Sequence, residues 1–293
     1  MRMSISGNQL IGYTQSGISN HKFASSVKND AGDVYLFREA TDEEINEAIK
    51  KADQAAPLYK KIPYLKRAEF LECIADEILA VRFLTTITAL ESGLSETRLL
   101  NERTRTVNQL KFFAKILRDG SWLKAIIDLP SENDPAKADL RQMQVPLGVT
   151  GVFGASNFPY AFSVAGGDTV SALAAGCPVV HKAHPAHPVT AELIGRCIVK
   201  AANITGMPDG VFSLLHGTSH ECGLKLVQHP LIKAVAFTGS YQGGRPYLMR
   251  LQKGRSLSRF MLKWVASTRC LFCREYWRNG GPRSPNYWLL LTY

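Results

Sequence analysis

The sequence predicts an α/β fold, a parallel sheet flanked by helices, which is preceded by an N-terminal helical region. Two observations support this prediction. Apolar residues recur at helical spacing between residues 41 and 117, and from Arg141 onward short β-branched runs alternate with Ala- and Leu-rich segments. Strands that alternate with helices in this way form βαβ units, whose parallel sheets are covered on both faces. The 293 residues are enough to bury a core of that kind.

Three helices are predicted in the N-terminal region. The first begins at Thr41, which together with Glu44 has the spacing of a capping box, and apolar residues follow at helical intervals. The second covers residues 65–81 and the third residues 95–117, each with an apolar stripe that is typical of a helix packed on a core. Residues 119–140 contain one glycine and two prolines, which predicts a connecting loop or an exposed hairpin.

Four strands and three helices are predicted beyond residue 141, and their carboxyl ends are the candidate functional positions. Ligands of parallel sheets bind beyond the carboxyl ends of the strands. Here those ends hold residues 155–157, residues 182–184, Gly217 and residues 239–240. In chain order the segments are VTGVF (strand), AFSVAGGDTVSALAAG (helix), CPVVHK (strand), TAELIGRCIVKAAN (helix), VFSLLHG (strand), SHECGLKLVQHP (helix) and IKAVAFTGS (strand and turn).

Three of these strand ends have residue types that suit ligand chemistry. The amide of Asn157 can donate to a developing oxyanion, although the bare sequence favours an ordinary turn Asn before an aromatic–Pro pair. Lys182 suits a phosphate or a ribose hydroxyl, or else is a surface lysine with a buried stem. In the turn Phe237-Thr238-Gly239-Ser240, the glycine lets a phosphate approach the backbone and the serine can donate to it, but such turns are common.

No metal site is predicted. His181, His184 and His187 are spaced by three, but the prolines between them exclude the helix that would align them as ligands. Cys270 and Cys273 form a single CxxC without a second pair, so a structural zinc site is not supported.

The net charge of +10 is unevenly distributed and argues against a nucleic-acid partner. The last 40 residues carry seven Lys and Arg and one Glu, so six of the ten charges lie there and only four in the first 253 residues. Three of the four tryptophans also lie in those last 40 residues. The segment 254–293 therefore differs in composition from the rest of the chain.

The composition excludes other classes of protein. With 45% hydrophobic and 20% charged residues, the chain is neither a disordered tail, a collagen-like repeat nor a disulfide-dense miniprotein. No apolar run reaches 18 residues and the N-terminus lacks an apolar signal region, so we expect no membrane association and no secretion. Six scattered cysteines are typical of a reducing compartment, which predicts a cytoplasmic location.

Residues 1–253 resemble the aldehyde dehydrogenase superfamily. The motifs that carry the resemblance are VPLGVTGVFGASNFP, GGDTVSALAAGCPVVHKAHPAHP, MPDGVFSLLHG and AVAFTGS, in matching order and spacing. The ASNFP and KAHPAHP variants are most similar to the branch of 2,5-dioxovalerate (α-ketoglutarate semialdehyde) and long-chain fatty aldehyde dehydrogenases. The resemblance implies a small aldehyde substrate, a homo-oligomer, and a Rossmann-like NAD(P)-binding part at 141–253 that follows an N-terminal helical region and connecting segment at 1–140.

The resemblance also implies roles for individual residues. Asn157 matches the asparagine of the oxyanion hole and Lys182 the lysine that binds the adenosine ribose. Many NAD-preferring members have a Glu three residues after that lysine, whereas this chain has Pro185 there, which favours NADP over NAD because a carboxylate would repel a 2′-phosphate. The implied cofactor-binding residues are Phe158, Lys182, His184, Gly217, Gly223, Phe237, Thr238, Gly239 and Ser240.

The resemblance stops near Arg250, before the general-base Glu and the nucleophilic Cys of the family. We hypothesise that one nucleotide was lost just after Lys253. If residues 259–264 are encoded as CGT TTT ATG CTG AAA TGG, moving the reading frame back by one base gives Pro-Phe-Tyr-Ala-Glu-Met, and the reading continues as Gly-Ser-Ile-Asn-Pro. That is the next segment of the family, with its general-base Glu spread over codons 262 and 263. Cys270 lacks the surrounding motif of the nucleophile.

Three functions remain possible from the sequence. The first is a truncated, inactive aldehyde dehydrogenase with an out-of-frame tail at 254–293. The second is a non-catalytic module that binds NADP, and the third, least favoured by the charge distribution, is a basic nucleic-acid-binding protein. Without the rest of the family's chain, apolar surface would be exposed, so we expect a tendency to aggregate.

Overall fold

A computed structural model describes residues 5–29, 31–129, 138–253, 259–264 and 270–273. The strands are β1 (Gln9–Ile11), β2 (Thr14–Ser16), β3 (Lys22–Lys28), β4 (Val34–Arg38), β5 (Ile126–Asp128), β6 (Leu140–Gln142), β7 (Thr150–Phe153), β8 (Val179–Lys182), β9 (Phe212–Leu215), β10 (Ala234–Gly239), β11 (Arg259–Trp264) and β12 (Cys270–Cys273). The helices are α1 (Asp42–Lys61), α2 (Tyr64–Ala80), α3 (Leu84–Ser92), α4 (Glu96–Asp119), α5 (Gly167–Ala175), α6 (Pro188–Ile204), α7 (His220–Gln228) and α8 (Tyr241–Lys253).

The predicted parallel sheet flanked by helices is confirmed. Strands β11, β10, β7, β8 and β9 lie side by side in that order and are parallel. Every residue of β7, β8 and β9 is buried, as expected for strands covered on both faces. One face packs against α2, α4, α5 and α6, and the other against α1, α7 and α8.

The three predicted N-terminal helices are present as α1, α2 and α4. Thr41 caps α1 with the predicted capping box, because its hydroxyl accepts the N–H of Glu44 and the Glu44 carboxylate accepts the N–H of Thr41. Ser95 caps α4 through the N–H of Arg98. Gly120, at φ 76°, ends α4 in the left-handed conformation that favours glycine.

The N-terminal region contains short strands in addition to the predicted helices. Strand β1 pairs antiparallel with β9 and so extends the central sheet, and β2 pairs with β1 at the edge. The sequence also gave no sign of α3, whose residues LTTITALES have modest helix propensity. Tertiary contacts hold α3 in place: the buried Glu91 carboxylate accepts the N–H groups of Val189 and Thr190 at 2.8 and 2.9 Å.

Residues 119–140 were predicted as a connecting loop or an exposed hairpin, and strands are present there. Strand β5 pairs antiparallel with β6, with Ile127 opposite Arg141. All six residues of the two strands are exposed, including Ile126, Ile127 and Leu140. This two-stranded sheet therefore presents apolar side chains outside the core.

The segment 254–293, predicted to be aberrant, is described only in part. Residues 259–264 form β11, parallel to β10, and the CxxC lies in β12, which pairs antiparallel with β11. The remaining residues of that segment lie outside the described part of the chain. Among the described helices, none combines the length and hydropathy needed to cross a bilayer.

Candidate functional site

A cavity of about 580 Å³ opens at the carboxyl ends of β7, β8 and β10. This is the edge of the sheet where the sequence placed the candidate residues. Seven of the ten predicted site residues line it, whereas Phe158, Gly217 and Gly223 are not among its lining residues. The lining residues are 153–157, 182–185, 218–220, 237–240, Gly243 and Tyr247.

Lys182, the last residue of β8, is a buried cation rather than a surface lysine. It is 9% exposed, and its Nζ donates to the carbonyl oxygen of Gly217 at 2.5 Å. Burial lowers the pKa of the Lys182 ammonium, and the nearby Cys222 thiol and Glu39 carboxylate partly oppose that shift. A desolvated ammonium in the cavity wall is well suited to a polar ligand, which would supply hydrogen bonds that the wall lacks.

Glu39 contributes to this wall, and the sequence analysis did not identify it. Its carboxylate accepts hydrogen bonds from both the N–H and the hydroxyl of Thr218, the former at 2.8 Å. Thr218 lines the cavity directly after Gly217, so Glu39 fixes the loop that orients Lys182. No local signal could reveal this contact, since 179 positions separate the two residues.

The turn Gly239-Ser240 ends β10 and leads into the first turn of α8. The Ser240 hydroxyl accepts the N–H of Gly243 at 3.1 Å. A side chain at Gly239 would have its Cβ 2.8 Å from the Phe237 ring, so this position needs glycine. The Thr238 hydroxyl donates to Asp168 at 2.8 Å and anchors the turn to α5. The positive end of the dipole of α8 lies at this turn and favours an anion here.

Asn157 lies at the rim of the cavity, in the segment that follows β7. Its side chain is exposed, and its carbonyl oxygen accepts a hydrogen bond from Arg98 of α4 at 2.7 Å. The buried Glu102 carboxylate accepts the N–H groups of Tyr160 and Ala161 at 2.8 and 2.9 Å. The N-terminal helix α4 therefore holds the segment that presents Asn157.

The three closely spaced histidines do not converge on one point. His181 contacts the Thr169 hydroxyl at 3.3 Å, His187 contacts the Ala155 carbonyl at 3.0 Å, and His184 lines the cavity. Burial lowers the pKa of His181 to about 3 and that of His184 to about 4. Within the described ranges, no group of three or more His, Cys, Asp or Glu could hold a metal ion.

The floor of the cavity is aromatic, and its central member, Tyr247, is not predicted from the sequence. Tyr247 packs against Phe153 and Phe237, with ring centroids 5.0 and 5.7 Å apart. A Cβ at Gly223 would lie 2.4 Å from the Tyr247 hydroxyl, so the glycine makes room for this ring. Burial raises the pKa of Tyr247 to about 12, which keeps the hydroxyl protonated.

Comparison with known proteins gives consistent matches. The sequence model of the aldehyde dehydrogenase family matches residues 19–264. The chain is 48% identical over 247 residues to alpha-ketoglutaric semialdehyde dehydrogenase 2 of Azospirillum brasilense, covering 83% of this chain and 47% of that protein. It is 46% identical over 213 residues to alpha-ketoglutaric semialdehyde dehydrogenase of Acinetobacter baylyi, covering 72% of this chain and 40% of the relative. The chain thus spans about half the length of these curated relatives.

The fold also matches solved structures. The crystal structure of an NADP-dependent enzyme of E. coli superposes with a TM-score of 0.75 at 23% identity, over 88% of this chain and 51% of that one. At this identity the match establishes a shared fold.

Proposed function

The chain belongs to the aldehyde dehydrogenase family, and we propose that it binds NADP or NAD in the cavity at the carboxyl ends of β7, β8 and β10. One observation carries the proposal: a buried ammonium and the N-terminus of a helix face the same cavity. An ammonium can donate to the hydroxyls of a ribose, and the positive end of a helix dipole attracts a pyrophosphate.

We assign the cofactor contacts from this geometry. Lys182 donates to a hydroxyl of the adenosine ribose, and the backbone at Gly239 and Ser240 donates to the pyrophosphate. The absence of a side chain at Gly239 lets the pyrophosphate approach the backbone of the turn. The bound nicotinamide ring would supply a hydride acceptor for the oxidation of an aldehyde. Asn157 then donates its amide N–H to the oxygen of the aldehyde, on which negative charge develops.

We propose NADP as the preferred form. Pro185 and His184 line the cavity beside Lys182, and neither carries a carboxylate that would repel a 2′-phosphate. The nearby Glu39 carboxylate is engaged by the N–H and hydroxyl of Thr218. Residues 184 and 185 therefore place no opposing charge beside a 2′-phosphate, and the hydrogen bonds from Thr218 partly offset the charge of Glu39.

Introducing Pro185→Glu is expected to weaken NADPH binding by about tenfold, since like charges a few Å apart repel even where the effective dielectric is high. NADH binding should stay within about twofold of the wild-type value. Fluorescence titration of both dinucleotides checks this. Equal affinities of the wild-type chain for NADPH and NADH would contradict the proposed preference.

The substrate class that we propose is an aldehyde that carries a carboxylate. The two curated relatives act, by their names, on α-ketoglutaric semialdehyde, which has a carboxylate at one end and an aldehyde at the other. Oxidation of the aldehyde would yield a dicarboxylic acid and the reduced cofactor.

We further propose that the chain in its present form binds the cofactor without turnover, because of a lost nucleotide after Lys253. The family match reaches residue 264 in the present reading frame, so the proposal rests on the shifted reading and not on the extent of that match. Residues 259–264 run parallel to β10. The shifted reading Pro-Phe-Tyr-Ala-Glu-Met falls on these same six positions. Its Glu would lie beside Thr238 at the carboxyl end of β10, where a general base could reach the cavity.

The DNA that encodes codons 250–265 tests the frameshift directly. Insertion of one base after codon 253 should restore Pro-Phe-Tyr-Ala-Glu-Met followed by Gly-Ser-Ile-Asn-Pro. A nucleotide sequence that gives any other reading in that frame refutes the proposal. The cofactor site does not depend on this result, since its lining residues all precede codon 253.

A further inference from the structure

Three polar residues of α4 follow one helix face along the segment after β7. Arg98, Glu102 and Arg105 are spaced by four and three positions, so they line up on one side of the helix. Each residue contacts a different part of that segment. Arg98 contacts its beginning, Glu102 contacts its middle and Arg105 contacts its end. The face therefore lies against the loop that presents the candidate oxyanion-binding residue.

The Arg98 guanidinium is held in one orientation beside Asn157, a residue that lines the cavity. Its Nη2 donates to the carbonyl oxygen of Asn157 at 2.7 Å, and its carbon lies 4.9 Å from the centroid of the Phe158 ring. The side chain is exposed even so. A guanidinium has five N–H donors in a fixed plane, so this arrangement leaves donors on its edge for a ligand.

The charge of Arg98 is not neutralised by a neighbour. Glu102 is one turn away, but it is buried and its Oε1 accepts the N–H groups of Tyr160 and Ala161. In the part of the chain that the structure describes, Arg98 forms no ion pair. An oriented, exposed cation beside Asn157 is suited to a carboxylate, with which guanidinium forms strong paired hydrogen bonds.

We propose that Arg98 binds the carboxylate of the aldehyde substrate and so selects semialdehyde acids over neutral aldehydes. This inference rests on the proposed function, in which the aldehyde oxygen lies at the Asn157 amide. Arg98 donates to the backbone carbonyl oxygen of the same residue, which places the guanidinium next to the residue that would hold the aldehyde oxygen.

Arg105 provides a matched control. It lies on the same helix face, is exposed, and its guanidinium carbon is 5.0 Å from the centroid of the Phe162 ring. Seven residues place it about 10 Å further along the helix. Loss of Arg105 therefore removes the same charge and the same type of ring contact without touching Asn157.

The test uses levulinate, a stable ketone with a carboxylate, and the neutral ketone 2-pentanone. Binding of each to the full chain with saturating NADP is measured by ligand-detected NMR. Arg98→Gln is expected to weaken levulinate binding by about tenfold, the usual value of a charge-assisted hydrogen bond. The affinity of Arg105→Gln for levulinate should stay within about twofold of the wild-type value. All three proteins should bind 2-pentanone more weakly than the wild type binds levulinate.

Several results would overturn the assignment of Arg98. These are equal losses in both variants, no loss in Arg98→Gln, or no saturable binding of levulinate by the wild type. NADPH titration of the same three proteins separates this outcome from failure of the proposed function. If NADPH binds all three equally, the cofactor site stands and only Arg98 is refuted. If NADPH does not bind the wild type, the proposed function itself fails.

Discussion

Replacement of Lys182 by methionine is expected to weaken NADPH binding by between about tenfold and 100-fold, because hydrogen bonds from a buried ammonium are worth about 1.5–3 kcal/mol. The same change should not lower the free energy of unfolding. The Lys182 ammonium is nearly buried and has one hydrogen-bond acceptor, the carbonyl of Gly217. Burial of a charge costs free energy that a methionine of similar length does not incur. Loss of binding without loss of stability is the signature of a ligand-binding group.

The measurements are a fluorescence titration with NADPH and urea unfolding at neutral pH. Lys225→Met is the control, since Lys225 is an exposed lysine on α7 that pairs with Asp42 outside the cavity. It should leave NADPH binding unchanged. Undiminished affinity in Lys182→Met would rule out Lys182 as a cofactor ligand, and a parallel loss of stability would show instead that the lysine is structural.

The strand ends could be located from sequence because each combines a local composition signal with a topological rule. The β-branched runs of β7 and β8 have no polar alternation, which is typical of strands covered on both faces, and βα units place their carboxyl ends at one edge. Thr41 and Glu44 likewise act over three residues, so the start of α1 is visible in the sequence. Local patterns of this kind fix an element without reference to the rest of the chain.

The parts of the site that escaped prediction depend on long-range contacts. Glu39 reaches Thr218, and Arg98 reaches Asn157, through folding that brings distant segments together. In the sequence, Tyr247 looks like any apolar position of an amphipathic helix. Only the structure shows that its ring fills the space next to Gly223. Strand β1 has three residues, too few to show a period of two.

Other long-range contacts join the two predicted parts of the chain, residues 1–140 and 141–253. Tyr59 of α1 donates to the carbonyl of Leu173 at 2.8 Å, and Arg67 of α2 donates to that of Ala174 at 2.8 Å. These bonds tie the N-terminal helices to the end of α5 on the sheet. Because Arg98 also holds the Asn157 loop, we expect that residues 141–253 expressed alone would lose the geometry of the site.

Acid is expected to destabilise the fold well above the pH at which most carboxylates titrate. Burial lowers the pKa of both His181 and His216 to about 3 in the folded chain, whereas an unfolded histidine titrates near 6.5. Below about pH 6.5 the unfolded chain therefore takes up protons that the folded chain cannot accept, and stability falls as the pH drops toward 3. At about pH 4.5 the two residues together should cost about 5 kcal/mol, a large part of a typical domain stability.

The variant His216→Phe isolates the contribution of one of these two histidines to the acid sensitivity. His216 is buried against Phe37, with ring centroids 4.9 Å apart, and neither ring nitrogen has a hydrogen-bond partner in the described part of the chain. Phenylalanine fills a similar space and does not titrate. The free energy of unfolding, from urea titrations at pH 7.0, 5.5 and 4.5, should therefore fall less steeply with decreasing pH in this variant. Near pH 5 the difference in slope should correspond to the uptake of about one proton on unfolding. His21→Gln, at an exposed site, should follow the wild type. If His216→Phe does so as well, His216 is not the source of the acid sensitivity.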